Sequence, residues 1–531
     1  MLQRYILPAM LGWLPWWFAA AALLMLCTVI LAMAGLVLQR PKLPENAPKL
    51  ITGWPIMGSI GFYFWRHDFL EGQRKSMENS HIPSTTDGIP LVCLVQLFSF
   101  FVFGCQCQPF ANCTIRHSAL LALPSRHQTE SAHSVRSQIK LFRKILTRER
   151  FSESLPSLVT DTDLVFRQLS MSGRAVPLFP VMCRLIYQLM HRVAGIHEVA
   201  ESDKLLDSSL KHFSSIEKCT AFQVMFNPWP LPGMLSKLWA AISLHRLVMR
   251  VMNERRKTGR VERDTLQLLM DYGEEDLEIV KVSWHSSLLV PGSWAYHVEP
   301  QCIISVLFAG LLNTGISSTW LLCYLAENRV WYEQVQAEVD MFVNKNRRTP
   351  EESVREILQR VPYNDWDTQF PSISVCLRET LRLGVYQPAY RRNMSGEDVE
   401  IPGTNQVIPK ESFAFFSMGE VHMDETIYPN ASEWEPARHL PGREEGAHRP
   451  HEFVGWGSGL HPCVGSKAAT LEITVAVVTM VALNEFWLVE RNGEARKRRL
   501  PRANKNNLSV NLPTEEIYLK CSPRTNKHDG L

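Results

Sequence analysis

Cys463 closes a glycine-studded stretch, "FVGWGSGLHPCVGSKAATLEI" (Phe453–Ile473). Gly455, Gly457 and Gly459 permit bent backbone that other residues resist. The following "KAATLEITVAVVTMVAL" has the Ala, Leu and Val content of a buried helix. Cys463 and Gly465 therefore fall near a helix N-terminus, where free N–H groups and the positive dipole end favour a thiolate. The alternative is an inert cysteine in a glycine-rich turn, and the cysteine alone does not choose. Two other groups of residues bear on it. Glu379 and Arg382 in "ETLRL" stand three apart on one helical face and can pair, although such a pair in isolation is worth little. Arg438 in "EWEPARHL" (Glu433–Leu440), a proline-bounded loop, can join them.

Helical patterning that would carry these groups runs over Ser137–Arg150, Met182–Gly195 and Leu235–Glu254, and dominates the second half. "CIISVLFAGLLNTGISSTWLLCYLAE" (Cys302–Glu327) is apolar almost all round, as in a helix through the middle of a large helical body. Its length would also permit a membrane span. Gly310, Asn313, Thr314, Gly315, Ser317, Ser318 and Thr319 interrupt it, which argues for a bent helix with polar groups lining a cavity. Val330–Asn344 and Ser372–Leu383 read as amphipathic helices, and short strand-like pieces in Asp398–Met418 bring a small sheet. No internal repeat appears.

The 531 residues are 46% hydrophobic, enough for a sizeable core in one large fold or in two or more domains. A net charge of +3 from 56 Lys+Arg and 53 Asp+Glu gives no ground for a nucleic-acid partner. The basic clusters Asn253–Arg263 and Arg496–Leu500 read as solvated loops. Cys183, Cys302, Cys323 and Cys376 lie singly in apolar runs, as reduced core residues do, while Cys105, Cys107 and Cys113 lack paired zinc-ligand spacing. Tyr5–Gln39 carries no charge, more than the roughly 20 apolar residues that cross a bilayer. It reads as an uncleaved anchor, too long for a signal-peptide core. Arg40, Lys42 and Lys49 after it, against Arg4 before it, place the body in the cytoplasm. Sequons at Asn112, Asn393, Asn430 and Asn507 should then stay unglycosylated.

In this order the motifs resemble the cytochrome P450 family of haem-thiolate proteins, and fungal secondary-metabolism members in particular. The family's haem loop is matched by Trp456, Gly457, Gly459, His461, Cys463 and Gly465, with Ala469 and Glu472 downstream. Its Glu-x-x-Arg pair is matched by Glu379 and Arg382, and the third member of that ion network by Arg438. The resemblance covers roughly Ser137–Pro513 with the leader and hinge. It implies haem b (iron protoporphyrin IX) with Cys463 as thiolate axial ligand, which pushes electron density onto the iron and favours O–O cleavage. His461 would meet a haem propionate, with Arg391 or Arg392 a second partner. Glu379, Arg382 and Arg438 would fix the loop structurally. Phe308, Ala309, Gly310, Val385 and Pro388 would wall an apolar substrate pocket.

The implied fold is mainly α with a small β region, plus one N-terminal transmembrane helix. The organisation expected is an anchor at 1–40, a Pro/Gly-rich hinge at 41–80, an anomalous segment at 81–136, the haem domain at 137–515 and a tail at 516–531. The implied activity is a monooxygenase acting on a lipophilic small molecule. NADPH-cytochrome P450 reductase would supply electrons, with cytochrome b5 as an optional second donor, at the endoplasmic reticulum membrane. Where the family places an acid and a threonine, this chain has Leu312 and Asn313, with Thr314 one place later. Leucine relays no proton, so oxygen activation falls to Asn313 and Thr314. The same departure keeps open an isomerase or dehydratase that rearranges peroxides without a reductase, or a haem protein without turnover. His81–His133 and Ser283–Gln301 look foreign: no tryptophan lies between Trp65 and Trp229, and the family's Trp-x-x-x-Arg helix is missing. They are either translated non-coding or frame-shifted sequence, or a divergent loop and a lengthened connection. Lys140, Arg143, Lys144, Arg148 and Arg150 form a basic face that replaces a propionate partner, docks an acidic reductase, or is simply solvated.

Overall fold

The computed structural model describes residues 65–79, 140–217, 232–271 and 298–524, with breaks at 387, 394, 402–404, 411, 460–461 and 507–510, together with 44–47 and positions between 20 and 28. The anomalous segment 81–136 and most of 283–301 lie outside the described residues, as does the Cys105–Cys113 cluster. Helix α1 (Arg66–Asn79) precedes them. Helix α2 (Arg148–Ser172) starts at Thr147, whose side chain accepts the Arg150 N–H, and stops at Gly173 in left-handed conformation. The basic stretch is therefore broken at Leu146–Thr147 and is not one continuous helix.

Strand β1 (Val176–Pro177) leads into α3 (Leu178–Ala194), α4 (His197–Glu201), α5 (Asp203–Glu217), α6 (Pro232–Thr258) and α7 (Thr265–Asp271). Helix α8 (Val298–Glu327) follows at 30 residues, then α9 (Arg329–Asn346), α10 (Val354–Arg360), α11 (Tyr363–Thr368) and α12 (Pro371–Gly384). Asn328 caps α9 through Trp331 N–H, and Ser353 with Glu356 forms a capping box on α10. Helix α12 has no cap of its own at Phe370. Glu338 of α9 supplies one from outside, its carboxylate accepting Ser372 N–H at 2.9 Å and Ile373 N–H at 3.4 Å.

The sheets are small and antiparallel. Strand β2 (Pro388–Arg392) pairs with β5 (Phe413–Ser417), Pro388 opposite Ser417 and Arg392 opposite Phe413. Strand β3 (Val399–Glu400) pairs with β4 (Val407–Ile408). After α13 (Met418–His422) and a 3-10 turn at Pro436–His439 comes α14 (Ser466–Leu483), then β6 (Asn484–Val489) and β7 (Tyr518–Pro523) in the order β1-β7-β6. Strand β7 carries the folded body beyond residue 515.

Helices α8 and α14 pack against each other and against α3 at the centre. Ala476, Val477, Val478 and Val481 of α14 and Leu321, Leu322 and Cys323 of α8 are wholly buried. An apolar surface that no other helix covered would be costly in water, so a helix apolar all round is enclosed.

The mainly helical fold with a small β region stands, but the expectation of one N-terminal transmembrane helix needs correction. Among the described residues, the helices long and apolar enough to cross a membrane are Val306–Glu327 and Ser466–Leu483, in the middle and late part of the chain. They are 67% and 72% buried inside the fold. The N-terminal stretch lies outside the described residues except for helical positions between 20 and 28.

The basic cluster Asn253–Arg263 differs from expectation, its first half lying in α6, whereas Arg496–Leu500 is outside helix and strand with Lys497, Arg498 and Arg499 exposed. Arg255 sits in α6 and is 2% exposed; Glu198 takes its Nε and Nη2, and Asp264 its Nη1 and Nη2, so the buried charge is fully paired.

Candidate functional site

The loop before α14 is built by its own backbone. Gly457 N–H donates to Val454 O at 2.8 Å, and Cys463 N–H to Trp456 O at 2.7 Å. Gly457 and Gly459 have φ of +75° and +72°, the left-handed region that a side chain would strain. Cys463 is exposed and lies two residues before Gly465, the N-cap of α14. Protein packed around its sulfur pushes the thiol pKa up, and the Gly465 N–H pulls the other way. Trp456 is half-buried, and His461 lies outside the described residues.

Behind the loop, Glu379 of α12 gathers donors with no exposure to water. Arg382 reaches it through Nε and Nη2, both at 2.8 Å, and Arg438 through Nε at 3.0 Å. The Glu435 N–H adds a contact at 3.1 Å, and His439 Nε2 lies 2.9 Å from Oε2. Burial alone would raise the carboxyl pKa. The hydrogen bonds of Arg382 and His439 and the charge of Arg382 outweigh it and hold Glu379 at about 2. Arg438 also ties Pro429 O at 2.8 Å and the Glu445 carboxylate at 2.7 Å. The three ion-network residues read from the sequence thus meet.

His439 was not among them. It follows Arg438 in the 3-10 turn Pro436–His439, and no spacing in the sequence marks it: its contact with Glu379 is made across the fold.

On α8, Ala309, Gly310 and Leu312 are half-buried and Asn313 is exposed, within a helix otherwise mostly enclosed. Asn313 Nδ2 donates back to Ala309 O at 2.9 Å. Thr314 is buried, and Phe308 packs on Phe213 of α5 with centroids 6.0 Å apart. Gly310 turns toward α3: a Cβ there would stand 2.3 Å from Met190 Cε. Val385 is the half-buried residue that ends α12. Pro388, Arg391 and Arg392 lie on β2, with Arg391 opposite Ala414. Lys140, Arg143, Lys144 and Arg148 are exposed, whereas half-buried Arg150 bonds Asp264 O at 3.2 Å and Thr265 Oγ1 at 3.4 Å.

An exposed cysteine whose sulfur meets the Gly465 N–H at a helix N-terminus suits a metal-bound thiolate, the bound cation offsetting the burial that otherwise raises the thiol pKa. Open space beside Gly459 and Gly465 leaves room around it. Helix α8, packed on α14, carries the exposed amide of Asn313. This donor set fits an iron porphyrin held by one protein sulfur.

The comparisons agree. The family model described as Cytochrome P450 matches residues 149–520. Cytochrome P450 monooxygenase AacuE of Aspergillus aculeatus is 26% identical over 351 residues, 65% of this chain and 66% of that protein. Cytochrome P450 monooxygenase nsrP of Aspergillus novofumigatus is 26% identical over 355 residues, 66% of this chain and 64% of that protein. The chain thus spans just under two thirds of the length of these relatives. A solved structure titled retinoic acid bound cyanobacterial CYP120A1 shares the fold at a TM-score of 0.62 and 16% identity, covering 91% of this chain and 100% of that one. With the family model spanning well over half its length, the chain belongs to the cytochrome P450 family.

Proposed function

We propose that the chain is a haem-thiolate monooxygenase that inserts one atom of O2 into a lipophilic small molecule, with electrons delivered from NADPH by a separate reductase. The observation that carries this reading is Cys463, accessible at the start of α14, its N–H fixed by Trp456 O and its sulfur within reach of the Gly465 N–H. Haem b, when bound, supplies an iron whose thiolate ligand donates electron density and favours O–O cleavage.

The protein's own part is positional. Cys463 provides the sulfur, and the Gly465 N–H tempers its charge. Glu379, Arg382 and Arg438 hold the loop from behind. Asn313, with Nδ2 committed to Ala309 O, keeps its carbonyl Oδ1 for a water or a substrate hydroxyl, and Thr314 is the adjacent hydroxyl. His461 and Arg391 or Arg392 are assigned to the propionates. Phe308, Ala309, Val385 and Pro388 are assigned to the pocket wall, while Gly310, turned toward Met190, is not. The exposed residues Lys140, Arg143 and Arg148 suit an acidic reductase surface, with cytochrome b5 as an optional donor. The setting is the endoplasmic reticulum membrane.

One observation favours a second reading. The accessible face of α8 offers an amide at Asn313 and leucine at 312, with no carboxyl to relay protons. That suits rearrangement of a hydroperoxide without a reductase.

The test is spectral, then kinetic. The reduced, carbon monoxide-bound chain should show the red-shifted Soret band of thiolate ligation, and Cys463→Ser should abolish it. Retention of that band by the serine variant would refute the assignment. Substrate-dependent NADPH consumption with added reductase supports oxygenation. Hydroperoxide turnover without NADPH supports rearrangement, and haem binding with neither leaves a protein without turnover.

A further inference from the structure

We infer that His422 is a positioning residue for the thiolate loop, holding the Val454 N–H so that the buried ion network and the backbone of Cys463 form one hydrogen-bonded chain. This rests on the haem-thiolate reading above. His422 ends α13 and is wholly buried. Its carbonyl accepts Arg382 Nη1 at 2.5 Å, and its Nε2 accepts the Val454 N–H at 3.0 Å. Val454 O then takes the Gly457 N–H, and Trp456 O the Cys463 N–H. Each link is a backbone or buried contact, so the His422 imidazole carries the hydrogen-bonded tie from Arg382 to the Val454 N–H.

The ring has one available state. An Nε2 that accepts leaves the neutral imidazole's proton on Nδ1. Nδ1 has no hydrogen-bond partner among the described residues. Burial, with Arg382 nearby, pushes the histidine pKa down to about 3, which keeps Nε2 an acceptor at neutral pH. Leaving a buried N–H unpaired is costly; what the ring offers against that cost is Nε2 as acceptor for the Val454 N–H.

Phe453 fixes the ring's plane. It stacks on His422 at 5.5 Å and 30°, has the Arg378 guanidinium 3.9 Å over its face, and meets His439 edge-on at 6.2 Å. His439 in turn binds Glu379, and Arg378 Nε lies 3.3 Å from His439 Nδ1. Two histidines on different elements thus brace the same end of the loop, one through hydrogen bonds and one through the ring between them.

The test compares two polar substitutions one methylene apart. His422→Gln places an amide oxygen near the position of Nε2, whereas His422→Asn is too short to reach Val454. In the full chain with haem, His422→Asn should speed amide exchange at Val454 and Cys463 roughly tenfold, the cost of one buried hydrogen bond. It should also convert the carbon monoxide-bound spectrum toward the shorter-wavelength, thiolate-free form and speed haem loss by roughly tenfold. His422→Gln should restore all three. Equal exchange and equal spectra in wild type and His422→Asn would overturn the inference. So would a glutamine variant as impaired as asparagine. If the wild type itself lacks the thiolate band, the haem-thiolate reading fails, while amide exchange still decides the tie. Should His422→Asn not fold, wild-type exchange decides: a Val454 amide as fast as the exposed Gly459 amide would overturn it.

Discussion

Glu379 is the residue whose charge the site can least lose. Its pKa is depressed from 4.5 to about 2. A depressed carboxylate contributes stability that is present above its unfolded pKa and is lost as pH falls through the folded one. The loss therefore falls between pH 4.5 and about 2, and its full size is about 3 kcal/mol. Denaturant unfolding at stepped pH should show this decline, and Glu379→Gln should remove it. Glu472 has the opposite sign. Burial in α14 pushes its pKa up from 4.5 to about 8. Its contribution is complete below pH 4.5 and is lost as pH rises through about 8, with a slope of at most about 1.4 kcal/mol per pH unit. Glu472→Gln should raise the melting temperature relative to wild type more at pH 8 than at pH 6; an equal shift at both would sink the assignment. At this scale Cys463, Glu379, Arg382 and Arg438 were legible, because short motifs fix their spacing. His439 and His422 were not, because what makes them matter is a contact across the fold.

Helices decide how near those residues can come. Sequence patterning placed α8, α9 and α12 within a few residues of their ends, since apolar period and caps are local properties. The glycines of α8 read differently once packed. In the sequence they suggest a bend beside a cavity, yet Gly310 and Gly315 face Met190 and Cys183 of α3. They let the two helices approach closely. Contact distance then sets the cost of substitution. At Gly315 a Cβ would stand 3.4 Å from Cys183 Sγ, an ordinary contact, so Gly315→Ala should be neutral or gain up to about 1 kcal/mol of helix propensity. At Gly310 the Cβ would stand 2.3 Å from Met190 Cε. The flexible methionine end can move, and crowding of about 1–3 kcal/mol should still outweigh the propensity gain. Urea midpoints of the two variants should separate in that order; a Gly310→Ala chain as stable as Gly315→Ala would show that Met190 moves aside at little cost.

Across the molecule, ion pairs count by burial and not by number. The Arg255 side chain is 1% exposed and joins α6 to Glu198 of α4 and to Asp264 before α7. Asp264 also accepts the His197 and Gln267 N–H groups. Arg255→Met would leave two acids facing each other without their shared cation, so a loss of about 3–5 kcal/mol is expected. The exposed pair Arg329–Glu333 on α9 should be worth no more than about 0.5 kcal/mol. Equal denaturation midpoints for Arg255→Met and Arg329→Met would contradict this ranking. In sequence, Arg255 sits in a basic run that reads as a solvated loop, because a charge count carries no burial.

By itself the sequence determined the family, the helical majority, the cysteine at a helix start and the three ion-network residues, since each depends on residue type at short spacing. Tertiary structure decided what depends on enclosure. It placed the membrane-length helices Val306–Glu327 and Ser466–Leu483 inside the fold, turned the α8 glycines toward a neighbour, buried Arg255, and linked His422 to the cysteine loop. Hydrophobicity has no direction along a chain; only the packed fold settles which apolar surfaces and which charges face one another.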